Sequence, residues 1–479
     1  MKKINLLLLS LVLLVSTHAQ KKLTLKECID IALQNNQQVK DAVYQSAINK
    51  IALRQAQYQR LPTLNINLGQ GLNTGKSIDP YSNQFINQTI GYGNYGASMD
   101  VTLFNGMQIT NAIKRNKAAM QSAGLQTDAA KNIITLSVIR AYLQVISSNE
   151  IIKATQLQLN ASMEQVALAQ KKVDAGVLAE VQLSDLNGQA ATEELALSTA
   201  KNNLELARLD LFLAMNYETD DTVIFIAEEP GDELAVNNVE PKEVYEAALK
   251  SLPDVQAIQQ QKVAAQYDKA VAKSLRYPTL SLTAGSSTAY SSSVNKTKFV
   301  PDGTSSSVIN TSPDNFVSLN GSDYYLQQKS VVQNGSYKPF TYFSQLNSNI
   351  NSGIGLNLRI PILSGLQAKT RIAISDAVLT RIDAQLTSAK NQLRNAVEHS
   401  VQNLKNASQR ILLINKQVAA LQQTLSSDSV KMAYGTFNTT DYVVAKANYD
   451  QAKINFIQSK YEYRLLQVIV QFYQKGRWD

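Results

Sequence analysis

Ile354-Gly355-Leu356-Asn357-Leu358-Arg359-Ile360 changes character at every residue. Apolar side chains fall on one face of a strand and polar or small ones on the other, the period of two of a sheet with one buried face. Three more stretches do the same. Leu64, Ile66 and Leu68 alternate with Asn65, Asn67 and Gly69. Met99, Val101 and Leu103 alternate with Asp100 and Thr102, and Leu280, Leu282 and Ala284 with Ser281 and Thr283. Each stretch is close to the roughly 9–11 residues a tilted strand needs to cross a bilayer. One such strand fits a soluble sheet equally well; four in one chain point to a membrane. Four strands cannot close a barrel, and an open sheet edge cannot sit in lipid. Bacterial barrels begin at about eight strands. The chain is therefore expected to oligomerise. A trimer supplies twelve strands, around a lumen too wide for side chains to fill.

Outward from the strands the chain is helical. Residues 107–172 contain no Pro and one Gly, Gly124; residues 366–431 contain neither. A helix of that length reaches roughly 100 Å at 1.5 Å per residue. It calls for coiled-coil packing. Ile411, Ile414, Val418, Leu421 and Leu425 step by three and four, the heptad seam. Ile139, Tyr142, Leu143 and Ile146 form a broader stripe. The remaining surfaces are rich in Ala, Gln, Asn and Ser, which lets helices pack on two sides, as in the wall of a tube. Residues 24–60 and 181–216 are expected to stack end to end along one long helix. Residues 241–277 and 440–475 are expected to do the same along the other.

The whole plan is written twice. Pro62-Thr63-Leu64 recurs as Pro278-Thr279-Leu280, Lys26-Glu27 as Lys242-Glu243, and Ala32-Leu33 as Ala248-Leu249. Gly106 matches Gly365, and Gly176 matches Gly435. So long a period marks a duplicated multi-element unit, not a solenoid. The expected organisation is a signal peptide over 1–19, repeat 1 over 20–216, a connector over 217–239 and repeat 2 over 240–479. Strands are placed near 61–70, 95–104, 277–285 and 350–363, and helical hairpin tips near 176 and 435. The stretches 70–94 and 286–353 are expected to be polar loops. The second is rich in Ser, Asn, Gly and Tyr and shows no core pattern.

The N-terminus reads as an export signal. Lys2 and Lys3 precede the short apolar run 6–15, and Thr17-His18-Ala19 supplies small residues for cleavage. The run is too short for a transmembrane helix. No stretch of the mature chain holds roughly 20 apolar residues, which excludes an α-helical membrane protein. The chain has 46 basic and 38 acidic residues, a formal net charge of +8. The charges are scattered along helices, so no nucleic-acid stripe forms. Tyr accounts for 21 of the aromatics, against 11 Phe and 1 Trp, which suits membrane boundaries. The single cysteine, Cys28, rules out an intrachain disulfide and is read as a small buried helix residue.

These residues carry a resemblance. Leu23-Thr24-Leu25 with Ala32-Leu33, Arg60-Leu61-Pro62, Leu103-Phe104-Asn105-Gly106 and its copy Pro361-Ile362-Leu363-Ser364-Gly365 stand in order with two glycine turns. The turns are Ala175-Gly176-Val177-Leu178 and Tyr434-Gly435-Thr436-Phe437. In sequence, spacing and duplication the chain resembles the TolC-type outer-membrane efflux channel family over about 24–475. The resemblance implies an α+β membrane protein: a trimeric helical α-barrel in the periplasm continued by a 12-stranded transmembrane β-barrel in the outer membrane of a Gram-negative bacterium. It implies a passive exit duct of a tripartite efflux or type I secretion system. The implied partners are two further copies, a periplasmic adaptor, an inner-membrane pump and outer-membrane lipid. Adaptor contacts would be Gly176, Val177, Leu178 and Ala179 at one tip and Gly435, Thr436, Phe437 and Asn438 at the other, with Leu178 and Phe437 as apolar residues exposed in the turns. The family's periplasmic gate aspartates fall on Asp441 and on Val444, where the second acid is missing. Asp441 is read equally as a ring of three carboxylates or as an ordinary acid at a helix N-terminus.

Nothing in the sequence suggests catalysis. After export the only histidine is His399, and there is no His pair, cysteine cluster or phosphate loop. No enzyme activity, cofactor or metal is expected. Glu193-Glu194 is read as solvated helix charge. Two alternatives stay open. A periplasmic coiled-coil adaptor would have one hairpin between β-domains. A surface coiled-coil rod would not need amphipathic strands.

Overall fold

The structure is a computed structural model that describes residues 22–78, 83–226, 239–434 and 438–478. The expected signal peptide, much of the 217–239 connector, and Gly435, Thr436 and Phe437 of the second tip lie outside the described residues.

The first half runs β1 (Lys22–Leu23), α1 (Leu25–Asn35), α2 (Gln37–Tyr58), β2 (Thr63–Asn73), β3 (Lys76–Ile78), β4 (Phe85–Asn87), β5 (Ile90–Asn105), α3 (Gln108–Asp174) and α4 (Glu180–Met215). The short β6 (Ile224–Phe225) follows. The second half runs α5 (Pro241–Ser251), α6 (Pro253–Ser274), β7 (Thr279–Ser291), β8 (Thr297–Leu319), β9 (Ser322–Pro339), α7 (Tyr342–Ser348), β10 (Asn351–Arg359), α8 (Gln367–Ala433) and α9 (Thr439–Lys475). Helix lengths repeat between halves: 11 residues in α1 and α5, 22 in α2 and α6, and 67 in α3 and α8.

The chain divides into two compact units, and the division cuts across the repeats. A helical unit comprises the chain up to Arg54, Ala112–Lys269 and Ala373 onward; a strand unit comprises Gln55–Asn111 and Ala270–Ile372.

In the helical unit, α1 starts with a capping box. Thr24 Oγ1 accepts from Glu27 N at 3.3 Å, and Glu27 Oε2 accepts from Thr24 N at 2.8 Å. The expected single helices over 24–60 and 241–277 are each interrupted by one extended residue, Asn36 and Leu252. Leu252 precedes Pro253, which disfavours the helical conformation there. Asn36 caps the new helix, its Oδ1 accepting from Gln38 N at 2.8 Å.

The long helices pair with stacked short ones. Lys262 on α6 meets Asp383 on α8 at 2.7 Å, and further along α8 Arg410 pairs with Glu462 on α9. On the other long helix, Thr127 Oγ1 donates to Ala42 O of α2 at 3.1 Å. The heptad stripe behaves as its spacing requires. Ile411 is buried and Ile414, Val418, Leu421 and Leu425 are half-buried, while every residue between them is exposed. Tyr142, Val145, Leu211, Phe212 and Phe225 form one core, and Val244, Leu393, Val397, Val470 and Phe472 another. Cys28 is fully buried, and burial pushes its thiol up to about 12, so it is inert. Among the described residues no helix is long and apolar enough to cross a membrane.

The strand unit holds one four-stranded antiparallel sheet in the order β10-β7-β5-β2. The long polar segments are more structured than their composition suggests. The described residues of 70–94 extend β2 and β5 and add the small β3–β4 pair. Residues 286–353 contain the antiparallel β8–β9 ribbon and α7, not an irregular loop. The ribbon is exposed on both faces, so it carries no core periodicity for a sequence reading to detect. Ladder hydrogen bonds and the cross-strand pairs Phe299–Tyr337 and Phe316–Tyr325 hold it. Helix α7 is tied to β7: Ser291 N donates to Gln345 Oε1 at 3.1 Å, and Thr288 Oγ1 to Leu346 O at 2.6 Å.

Candidate functional site

Two places carry the functional geometry, each within its own unit. The first is the sheet. Its register places Leu64, Met99, Ala284 and Ile354 side by side across all four strands. The next row on that face is Val101, Leu282 and Leu356. The row between them is polar or small, Thr63, Asp100, Thr283 and Gly355, and so is the row on the other side of Leu64, namely Asn65, Ser98, Gly285 and Gly353. One face is thus apolar and the other polar. Within the chain the apolar face is uncovered at its margins, with Leu64 at 69% and Ile354 at 75% exposure. The pairing of β5 with β7 slips between Thr102 and Phe104, a bulge that sets Phe104 opposite Leu280 and keeps an apolar pair in register. Both edges of the sheet, β2 and β10, are long enough to pair with another strand. A soluble protein rarely leaves such edges and such a face open.

At the exit from each half of the sheet the chain reverses through two successive residues of positive φ: Gly106 and Met107 at +63° and +64°, Gly365 and Leu366 at +56° and +60°. A Cβ on Gly106 would lie 2.6 Å from Tyr277 Cβ, so this glycine is required by space as well as by φ.

The second place is the helical tip. Helix α3 ends in a Schellman arrangement: Val177 N donates to Lys172 O and Gly176 N to Val173 O, both at 2.8 Å, with Gly176 at φ +70°. Val177 stands 75% exposed. Leu178, expected in the open turn, is half-buried against Ala169, Leu183, Leu186 and Tyr442. Its side chain turns inward because the following helix begins only two residues later. Ala179 is the N-cap residue of α4 and makes no side-chain cap. Asn438 caps α9, its Oδ1 accepting from Thr440 N at 3.2 Å, and Thr440 Oγ1 donates to Asp185 Oδ2 of α4 at 3.0 Å. The two hairpin ends thus pack on each other. Asp441 and Val444, one turn apart on α9, are both exposed on the same side of the helix.

Next to them on α9, beginning at Lys446, lies a cluster the sequence reading missed. Lys446 is 3% exposed and donates to Glu193 Oε1 at 2.6 Å, Asp450 Oδ2 at 2.8 Å and Gln158 O at 3.4 Å. Gln189 Nε2 donates to the same Glu193 oxygen at 2.7 Å. Glu193 is therefore not a solvated helix charge: it is buried at the meeting of α3, α4 and α9. Burial opposes the Lys446 charge, but the hydrogen bonds to Asp450 and Glu193 outweigh it and raise its pKa. The pKa of Asp450 is also raised, by burial first and by the nearby Glu193 charge, which together outweigh the hydrogen bond and attraction of Lys446. Among the described residues no group of His, Cys, Asp and Glu could hold a metal ion.

The chain is similar to known proteins in family and in fold. A family model described as "Outer membrane efflux protein" matches residues 28–217 and 244–469. No curated protein matches by sequence. Among solved structures, the chain resembles the outer membrane protein VceC of Vibrio cholerae with a TM-score of 0.72 at 15% identity, over 95% of this chain and 97% of that one. It resembles the CmeC outer membrane channel of Campylobacter jejuni with a TM-score of 0.70 at 14% identity, over 95% and 86%. The MtrE outer membrane channel of Neisseria gonorrhoeae gives 0.66 at 15% identity, over 94% and 88%. At these identities the likeness speaks for the fold.

Proposed function

The chain belongs to the outer membrane efflux protein family, and from that premise we propose that three copies close into a passive duct through the outer membrane and periplasm. The observation that carries the reading is the four-stranded sheet with one apolar face and two open edges. Closing it into twelve strands pairs β2 of one copy with β10 of the next and turns the apolar face to lipid. The polar rows with Asn65, Asp100 and Thr283 then line the lumen. Neither a periplasmic adaptor nor a surface rod needs such a sheet. Purified in detergent, the protein is expected to have the mass of three chains; a well-folded monomer would overturn the reading.

The duct carries no energy source of its own, so transport is driven by an inner-membrane pump joined through a periplasmic adaptor. The tips are its docking points: Gly176 to Ala179 on one hairpin, and Gly435 to Asn438 on the other. Val177 is the exposed apolar contact on the first tip, and Leu178 holds the turn from inside. Val177→Asp is expected to abolish export while trimers remain in the outer membrane. Normal export in this variant would remove the first tip from the mechanism.

Asp441 and Val444 form the narrow periplasmic mouth. Three aspartates in a ring attract cations, and three valines beside them exclude water. Single-channel recordings of Asp441→Asn should show weaker divalent block and reduced cation preference. Unchanged block and selectivity would leave Asp441 as helix-end charge only.

A further inference from the structure

We infer that a leucine ridge on α4 of one copy seats in a basic-rimmed groove in the helical unit of the next. The inference rests on the trimeric reading above and names the contact that joins neighbouring helical units. The ridge is Leu206, Leu209 and Leu213, spaced by three and four and 60%, 50% and 77% exposed. The opposite face of the same helix, through Ala207, Leu211, Phe212 and Met215, is already buried in the chain's own core. Among the described residues, the ridge therefore faces away from the core of its own chain. Exposed Glu205 and Asp210 flank it, one on each side by helical angle. Glu205 also lies 3.9 Å from Arg208.

The groove has a volume of about 740 Å³ and is floored by Leu25, Ile29, Ile139, Leu143, Val468 and Trp478. Lys26, Lys131, Arg464 and Arg477 stand around it. Lys131 contacts Asp128 at 3.3 Å, and Arg464 donates to Gln467 at 2.9 Å, so both have local partners. An apolar ridge between two acids matches an apolar groove among four bases in shape and in sign. The groove could instead take an amphipathic anion or lie open. The ridge favours a second copy, because each chain then presents both halves of one contact. Such a head-to-tail contact makes either a ring or a filament. Closure of the barrel at twelve strands selects the ring of three.

The test uses chains with Cys28→Ala, so that only introduced cysteines react. One chain carries Leu209→Cys, and its co-expressed partner carries Ile29→Cys, Leu143→Cys or Val468→Cys. A disulfide needs Cα atoms within about 4.4–6.8 Å, so linkage reports direct seating. Mild oxidation of the purified trimers is expected to give a covalent dimer as the main species for at least one groove position. Asp210→Lys should lower trimer yield several-fold, and Lys131→Asp in the same chain should restore it. Trimers of normal mass with no covalent dimer at any groove position would overturn this inference and leave the three-copy duct standing. Absence of trimers from the unmodified chain would overturn both.

Discussion

Lys446→Met is expected to destabilise the helical unit by about 3–5 kcal/mol, the usual cost of removing one partner of a buried ion pair. The substitution leaves Glu193 and Asp450 buried near each other with no cation between them. Glu193 Oε2 already has no hydrogen-bond partner among the described residues, so the cluster has little reserve. The loss is measurable as a lower midpoint in helical circular dichroism and as earlier proteolysis near the tips. The triple variant Lys446→Met, Glu193→Gln, Asp450→Asn is expected to recover most of it, because an uncharged cluster needs no counterion. An unchanged midpoint in the single variant would mean the cluster is hydrated and structurally idle. The pH dependence follows from the two shifts. Lys446 has a raised pKa, so its contribution is complete below its ordinary value of 10.5 and is lost only as pH rises through the higher folded value. Asp450 is raised above 3.8, so its ionisation costs stability at neutral pH and that cost disappears on acidification. In wild-type protein the cluster should therefore tolerate mild acid and fail first in alkali.

Leu282→Arg is expected to prevent assembly in the outer membrane, whereas Ser281→Arg is tolerated. The two residues are neighbours on β7, and the period of two puts them on opposite faces of the sheet. Leu282 lies between Val101 and Leu356 on the apolar face. An arginine on the lipid side of a barrel strand costs about 2–4 kcal/mol near mid-membrane, and threefold symmetry repeats it three times. Ser281, between Thr102 and Asn357, would face the aqueous lumen. Heat-resistant trimers in outer-membrane fractions would read both. Equal assembly of the two variants would mean that the sheet faces are not lipid and water.

The strands were legible because each carries its own alternation, and the long helices because Pro is missing from two runs of matching length. The tips were legible at Gly176 for its turn geometry, but not at Leu178, which packs inward against Ala169, Leu183, Leu186 and, from the second repeat of the same chain, Tyr442. Glu193 left a signal that went unread. It occupies a buried position in line with Leu183, Leu186 and Leu197 on α4, where a solvated acid would not sit. Its partner pair Lys446 and Asp450 stands four residues apart on α9, a spacing equally common on open helix surfaces. Nothing local distinguishes the buried pair from the exposed one.

The sequence by itself determined the duplication, the helix and strand types and the two faces of each strand, since all of these follow from periodicities a few residues long. Tertiary structure decided the rest. It aligned the apolar rows of four strands through ladder hydrogen bonds between residues as distant as Met99 and Ala284, and it paired the hairpin ends of the two repeats within the chain. It also made a ribbon of 297–339, whose stability comes from cross-strand pairing and not from burial. These outcomes depend on which segments meet, and contacts between distant segments leave no period in the chain.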